Sequence, residues 1–256
     1  MPHFEIRPAE YAEVQGLRDL YRQEANVQIV RDSALVRGFA QAYLIRVEGH
    51  LAGYGAVGTR YNTGNVLEFY TVPHVRSHAM TIFRELLDAS HATHIQAQTN
   101  MPLMLMMLYD CAHNITTDAI LFQDTLTSRL DCPQATFRPI TASEKPLIFE
   151  HTQEPVGEWG IEANGAIVAT GGFLTHYNPP YADIFMEVAE SARRQGVGSY
   201  LVQELKRICY EAGKKPAARC GPDNLASRRT LEKAGFLVCG RLLVGEVSTV
   251  GNINRK

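Results

Sequence analysis

The stretch Arg193-Arg194-Gln195-Gly196-Val197-Gly198-Ser199 decides how the chain is read. It follows Asp183-Ile184-Phe185-Met186-Glu187-Val188, whose Ile, Phe and Val favour a strand. It precedes a run in which Leu201, Val202, Leu205, Ile208 and Cys209 recur with helical spacing. The glycines therefore sit at a strand-to-helix turn, where they let backbone approach a ligand without Cβ clashes. The first turn of such a helix has unpaired N–H groups and the positive end of the dipole, a geometry that binds phosphate. Arg193 and Arg194 add charge beside it. A P-loop is excluded because Ser199-Tyr200, not Lys-Ser/Thr, follows Gly198. A dinucleotide fingerprint is excluded because Leu201 stands where its third glycine is required.

A second motif follows, running from Asn224 through Ser227 and Leu231 to Lys233-Ala234-Gly235-Phe236. Together the two stretches resemble the GNAT acyl-CoA N-acyltransferase superfamily over residues from about 137 to 245. Arg193-x-x-Gly196-x-Gly198 resembles its pyrophosphate-binding motif, and the Asn224 helix its following motif. The resemblance implies acetyl-CoA as co-substrate and an amine of a small molecule or peptide as acceptor. It implies direct acetyl transfer in a ternary complex. It implies that backbone groups of Met186 and Val188 pair with the pantetheine arm as an added strand. It implies that amides from Arg194 through Gln195, Gly196, Val197 and Gly198 to Ser199 cradle the pyrophosphate, beside Arg193. Asn224 is either an N-cap or a contact to the pantetheine arm, or both, and Ser227 stands with it as a cofactor contact.

The chain repeats itself. At a shift of about 116 residues, Tyr43–Val72 falls on Trp159–Val188 without a gap. Gly49 and Gly55 meet Gly165 and Gly171, and Thr59, Tyr61 and Asn62 meet Thr175, Tyr177 and Asn178. Phe69 meets Phe185, and Val72 meets Val188. Two tandem copies of one fold are expected, a degenerate domain over 1–130 and a cofactor-binding domain over 135–256. Each reads as a hairpin, around Glu48-Gly49 or Asn164-Gly165, then strand, helix, strand, helix and strand. The strands are expected at 42–47, 51–58, 66–72, 94–98 and 118–124, and at 158–163, 166–174, 182–188, 216–220 and 236–247. The helices are expected at 75–89 and 101–110, and at 196–212 and 225–234. The fold class is mixed α/β (α+β): a mostly antiparallel twisted sheet with helices on both faces. The first copy carries Met80 and Ile82 in place of the two motif glycines, so it is expected to have lost cofactor binding; Asn100 is a vestige of Asn224. The second copy has a shorter stretch between Arg138 and Trp159 than the first has between Arg7 and Tyr43. Its acceptor wall is therefore reduced, and the first copy or a partner chain would complete it.

Acyl transfer to an amine needs a proton acceptor. Asp183 is favoured and Glu187 is the alternative, with a solvated edge carboxylate as the plain reading of either. The place where many superfamily members carry an acidic tyrosine is Leu231, which cannot donate a proton. Tyr177 and His176 are candidate donors by proximity, though Tyr61 at the matching place argues that Tyr177 is a packing residue. The missing donor also leaves open a non-catalytic acyl-CoA sensor. Met101–Leu108 reads as a buried helix or a soft interface, Arg228 and Arg229 as a solvated helix face or as contacts to the 3′-phosphate of CoA with the solvated face preferred, and Cys220 as an unactivated thiol. The nine histidines form no ligand spacing, so no metal is expected. Five scattered cysteines and a net charge of −2 suit a cytoplasmic protein with neither nucleic-acid nor membrane partners, as monomer or homodimer.

Overall fold

The computed structural model describes residues 2–24, 32–176 and 179–248. Along the chain lie β1 (Phe4–Ala9), α1 (Tyr11–Glu24), α2 (Asp32–Val36), β2 (Ala40–Val47), β3 (His50–Gly58) and β4 (Asn65–Thr71). Then come α3 (Ala79–Ser90), β5 (His94–Gln98), α4 (Pro102–Cys111) and β6 (Ala112–Asp124). The second copy supplies β7 (Ala135–Pro139), β8 (Trp159–Ala163), β9 (Ala166–Leu174), β10 (Tyr181–Val188), α5 (Val197–Glu211), β11 (Lys215–Cys220), α6 (Leu225–Lys233) and β12 (Phe236–Val247). The expected strands and helices are present. The helix expected from 75 is in fact a 3-10 turn, Pro73–His78, leading into α3, and β6 begins well before 118.

Both hairpins turn as their sequences require. Glu48 and Gly49 have φ of 49° and 76°, and Asn164 and Gly165 have 51° and 75°. Left-handed backbone at both central residues matches the twist of the flanking strands.

Two compact units emerge, and their borders differ from the sequence copies. One unit contains the chain up to Ala119 together with Gly240 onward; the other is Ile120–Cys239. In the first unit the strand order is β1-β2-β3-β4-β5-β12, with β12 joining β5 through Leu242–Glu246. In the second it is β6-β11-β10-β9-β8-β7, with β6 joining β11 through Ile120–Gln123. Each copy's last strand thus completes the sheet of the other unit.

In the first unit α3 covers a core of Phe69, Ile82, Phe83, Leu86 and Ile95, all essentially buried. On β2–β4, α1 packs around Val14, Leu17, Tyr54 and Tyr70. A buried ion pair lies within that layer: Arg18 Nε and Nη2 reach Glu68 at 2.9 and 2.7 Å, and Tyr54 donates to the same carboxylate at 2.7 Å. Along α4, Met104, Met107 and Leu108 are buried, while Met106 and Tyr109 are exposed.

The second unit packs α5 on β8–β11 through Val197, Leu201, Val202 and Leu205. Buried Lys206 fastens α6 to this helix by donating to the carbonyl of Ala234 at 2.8 Å. That covers one of the helix's orphan C-terminal carbonyls. There is no described counterpart of α1 and α2.

Strand pairing also revises the repeat at one point. Gly55 faces Phe69, but Gly171 faces Met186. Gly55 and its partner Phe69 are 14 positions apart in the chain, whereas Gly171 and Met186 are 15 apart, so β10 lies one place later in the repeat than β4. Phe69 therefore corresponds to Met186 in space, not to Phe185 as the ungapped repeat has it.

Candidate active site

The site begins where two strands part. β10 pairs with β11 only through Tyr181, Ala182 and Asp183. It stays paired with β9 as far as Val188. Beyond Asp183, its other edge therefore has lost its strand neighbour, and main-chain groups of Ile184, Met186 and Val188 face a gap. Backbone polar groups in such a gap recruit an extended ligand as they would a strand. One of them is partly used: the Val188 carbonyl accepts from Arg193 Nε at 3.2 Å.

A short 3-10 turn, Glu190–Ala192, leads from β10 into the glycine loop. Arg194 and Gly196 both have left-handed backbone, φ 62° and 86°. Gly196 is the N-cap of α5, and no side chain caps that end. The first-turn amides thus remain available to an anion, and a left-handed loop entering a helix gathers such amides into a concave nest. A Cβ on Gly198 would lie 3.2 Å from Val188 Cγ2 and 3.4 Å from Thr230 Cγ2, so its absence keeps strand and helices close.

Parting strands and uncapped helix open into one cavity of about 660 Å³. Of the residues expected to hold the cofactor, Met186, Val188, Arg193, Arg194, Gly196, Gly198, Ser199, Asn224 and Ser227 line it. Gln195 and Val197 do not: Gln195 closes the loop by donating to the Ser191 carbonyl at 2.9 Å, and Val197 is buried in the core. Asn224 is an N-cap, its Oδ1 accepting from Ser227 N at 3.0 Å, and it also faces the cavity. Arg229, read as a solvated residue, lines the cavity with Lys233; Arg228 instead pairs with Glu232 at 2.9 Å. The helical spacing of Ala226, Arg229, Thr230 and Lys233 is the signal that would have found this face. Leu231 is buried, as an apolar residue should be, and burial pushes the Cys220 thiol up, so it is unactivated.

Three carboxyl groups lie near the parting strands. Glu187 lines the cavity, but both its oxygens are committed. Oε1 accepts from the N–H and hydroxyl of Thr152, at 3.0 and 3.2 Å. Oε2 accepts from the N–H groups of Gln153 and Glu154, at 3.1 and 2.9 Å. Burial raises its pKa, but these donors outweigh burial and hold it below the usual range. Asp183 is buried, does not line the cavity, and pairs with Arg219 at 3.1 Å. Burial pushes its carboxyl up to about 6; Arg219 opposes the rise and the Glu154 charge adds to it. Glu154, which the sequence reading passed over, lines the cavity, and partial burial raises its pKa, with Glu187 adding and Arg219 opposing.

The segment 151–157 is held as a wall over this end. Thr170 is fully buried; its hydroxyl meets His151 Nε2 at 2.7 Å and accepts from Gly157 N at 3.2 Å. Glycine is required at 157: a Cβ there would lie 2.0 Å from the Gly171 carbonyl oxygen. Tyr54 and Tyr70 face each other beneath α1 in the first unit; Thr170 and Glu187 face each other here. The wall thus covers the sheet positions that α1 covers in the first unit. Tyr177 lies outside the described residues, and the structure assigns no donor role to His176.

At the matching place in the first unit, the 3-10 turn Pro73–His78 runs into α3, and Ala79 N already bonds the Arg76 carbonyl. Ile82 is fully buried in the core. No left-handed glycine loop intervenes there.

Residues 122–236 match the acetyltransferase (GNAT) family, and residues 11–125 match an acetyltransferase (GNAT) domain. The chain belongs to the GNAT acetyltransferases, with two such domains in tandem. The Bacillus subtilis (strain 168) protein named "Putative phosphinothricin acetyltransferase YwnH" is 30% identical over 126 residues, 47% of this chain and 76% of that protein. A GNAT-family acetyltransferase structure from Colwellia psychrerythraea superposes with a TM-score of 0.78 at 16% identity, covering 95% of this chain and all of that one. A tandem GNAT protein from the clavulanic acid biosynthesis pathway gives 0.58 at 14% identity, covering 96% and 99%. At such identities the two structures establish the fold alone. Among the described residues, no three His, Cys, Asp or Glu side chains group as metal ligands, and no helix is long and apolar enough to cross a membrane.

Proposed function

We propose that the second unit binds acetyl-CoA in this cavity and transfers its acetyl group directly to a primary amine of a small molecule or peptide. The observation that carries the reading is the meeting of the unpaired β10 edge and the uncapped α5 in one cavity that also receives Arg193, Arg194, Arg229 and Lys233. The fit to the cofactor is chemical as well as spatial. An extended amide-bearing arm suits the edge at Met186 and Val188, and a diphosphate suits the amide nest with its four cations. Gly196 to Ser199 hold the diphosphate, Asn224 and Ser227 stand beside the arm, and Arg229 and Lys233 neutralise phosphate charge. When bound, acetyl-CoA supplies an activated acetyl group. The residues here align it with the amine, and positioning two reactants can supply several kcal/mol of rate enhancement. The Val188 N–H, on the unpaired edge of β10, suits stabilisation of charge on the carbonyl oxygen.

The first unit lacks the nest, and we assign it no cofactor. The test is direct. Intact protein is mixed with acetyl-CoA and a panel of ethanolamine, benzylamine, spermidine, phosphinothricin and a lysine peptide, and free thiol is followed. Amine-dependent thiol release is expected for at least one of them. CoA binding with no release for any amine would contradict the transferase reading.

A further inference from the structure

Three acidic side chains stand at the parted strands, and only one is placed to receive a proton from an acceptor in the cavity. Glu187 spends both oxygens on four donors of the wall segment, so it fastens that segment. Asp183 is buried, does not line the cavity, and is paired with Arg219. Glu154 lines the cavity with Met186 and Val188, and its carboxylate makes no hydrogen bond or ion pair with a described residue. Its own backbone N–H is one of the donors to Glu187, so its main chain is fixed while its carboxylate is left unengaged.

Resting on the proposed function, we propose that Glu154 is the catalytic base, taking a proton from the acceptor ammonium, and that Glu187 is a positioning residue which holds the wall segment carrying it. The charged groups around Glu154 are Glu187 and Asp183 on β10 and Arg219 on β11, with Arg193, Arg194, Arg229 and Lys233 elsewhere in the cavity. Partial burial raises its pKa, the direction that strengthens a carboxylate as a proton acceptor. The step balances. One proton moves from the ammonium to Glu154 and on to solvent. The freed nitrogen lone pair forms the C–N bond, and the C–S electron pair leaves on sulphur. The nitrogen's second proton ends on the thiolate. No oxidant, metal or further reactant enters.

The test uses the intact chain with the best amine of the panel. Glu154→Gln should lower kcat at pH 7 at least tenfold and leave CoA affinity within twofold. The deficit should shrink below threefold by pH 10, where the amine loses its proton to solvent unaided. Glu154→Asp should recover part of the neutral-pH rate. A merely structural role would give the same deficit at every pH. An unchanged rate in Glu154→Gln, or a deficit independent of pH, overturns the assignment and leaves the transferase reading standing. If the wild-type chain acetylates none of the amines, both fail together.

Discussion

Gly196→Glu in the intact chain is expected to weaken CoA binding at least a hundredfold, about 3 kcal/mol. Two effects add. At φ of 86° any side chain strains the loop, on the order of 1–2 kcal/mol. A Cβ there would lie 3.7 Å from Lys233 Nζ and nothing nearer, so space is not the obstacle. The new carboxylate would instead reach Lys233, cancel one cation, and place a negative charge where the diphosphate is proposed to sit. Gly196→Ala separates the two effects. It carries the strain without the charge and should lose less than tenfold. Equal losses for alanine and glutamate would mean that the loop's shape matters and its charge does not. A glutamate variant that folds, checked by circular dichroism, and still binds CoA normally would remove the amide nest from the account.

The second large effect is on stability. Arg18→Met should destabilise the protein by about 3–5 kcal/mol, because it strands a carboxylate in a dry layer. Arg18 and Glu68 are 1% and 2% exposed, so water cannot replace the lost partner. Tyr54 would remain as a single neutral donor. The double variant Arg18→Met with Glu68→Met should recover most of the loss, since the charge to be compensated is gone. Urea denaturation followed by circular dichroism reads both. A single variant costing under 1 kcal/mol would show that the pair is not isolated from solvent. CoA affinity of the folded single variant should be unchanged, as neither residue lines the cavity.

Much of this was legible in the chain, and the physics says which parts. The glycine loop was legible because strand, turn and helix each leave local marks: β-branched residues, small residues, a 3.6 period. The hairpins were legible because Asn164-Gly165 prefers left-handed backbone. The exchange of last strands was not, since the apolar stretches of β6 and β12 do not name the strand they pair with. The one-place shift of β4 was hidden because a single extra residue between Gly171 and Met186 leaves the ungapped match of the flanking residues in place. The place of Arg229 on the cavity wall was not legible because a cation on a helix suits solvent and ligand equally, and only the position of α6 against the loop decides. The place of Glu154 on the cavity wall was hidden for another reason. It lies in an aperiodic stretch whose path is set by distant groups: Thr170 holding His151, Gly157 lying against Gly171, and Glu187 gathering three amides. Asp183 looked suitable from its place on the strand, but burial beside Arg219 could not be read from that place.

The central claim is that one diphosphate site exists per chain and that the second unit alone provides it. Calorimetric titration of the intact protein with CoA tests this most directly. A stoichiometry of one is predicted, falling to none in Gly196→Glu. Two sites per chain, or one that survives the substitution, would contradict it.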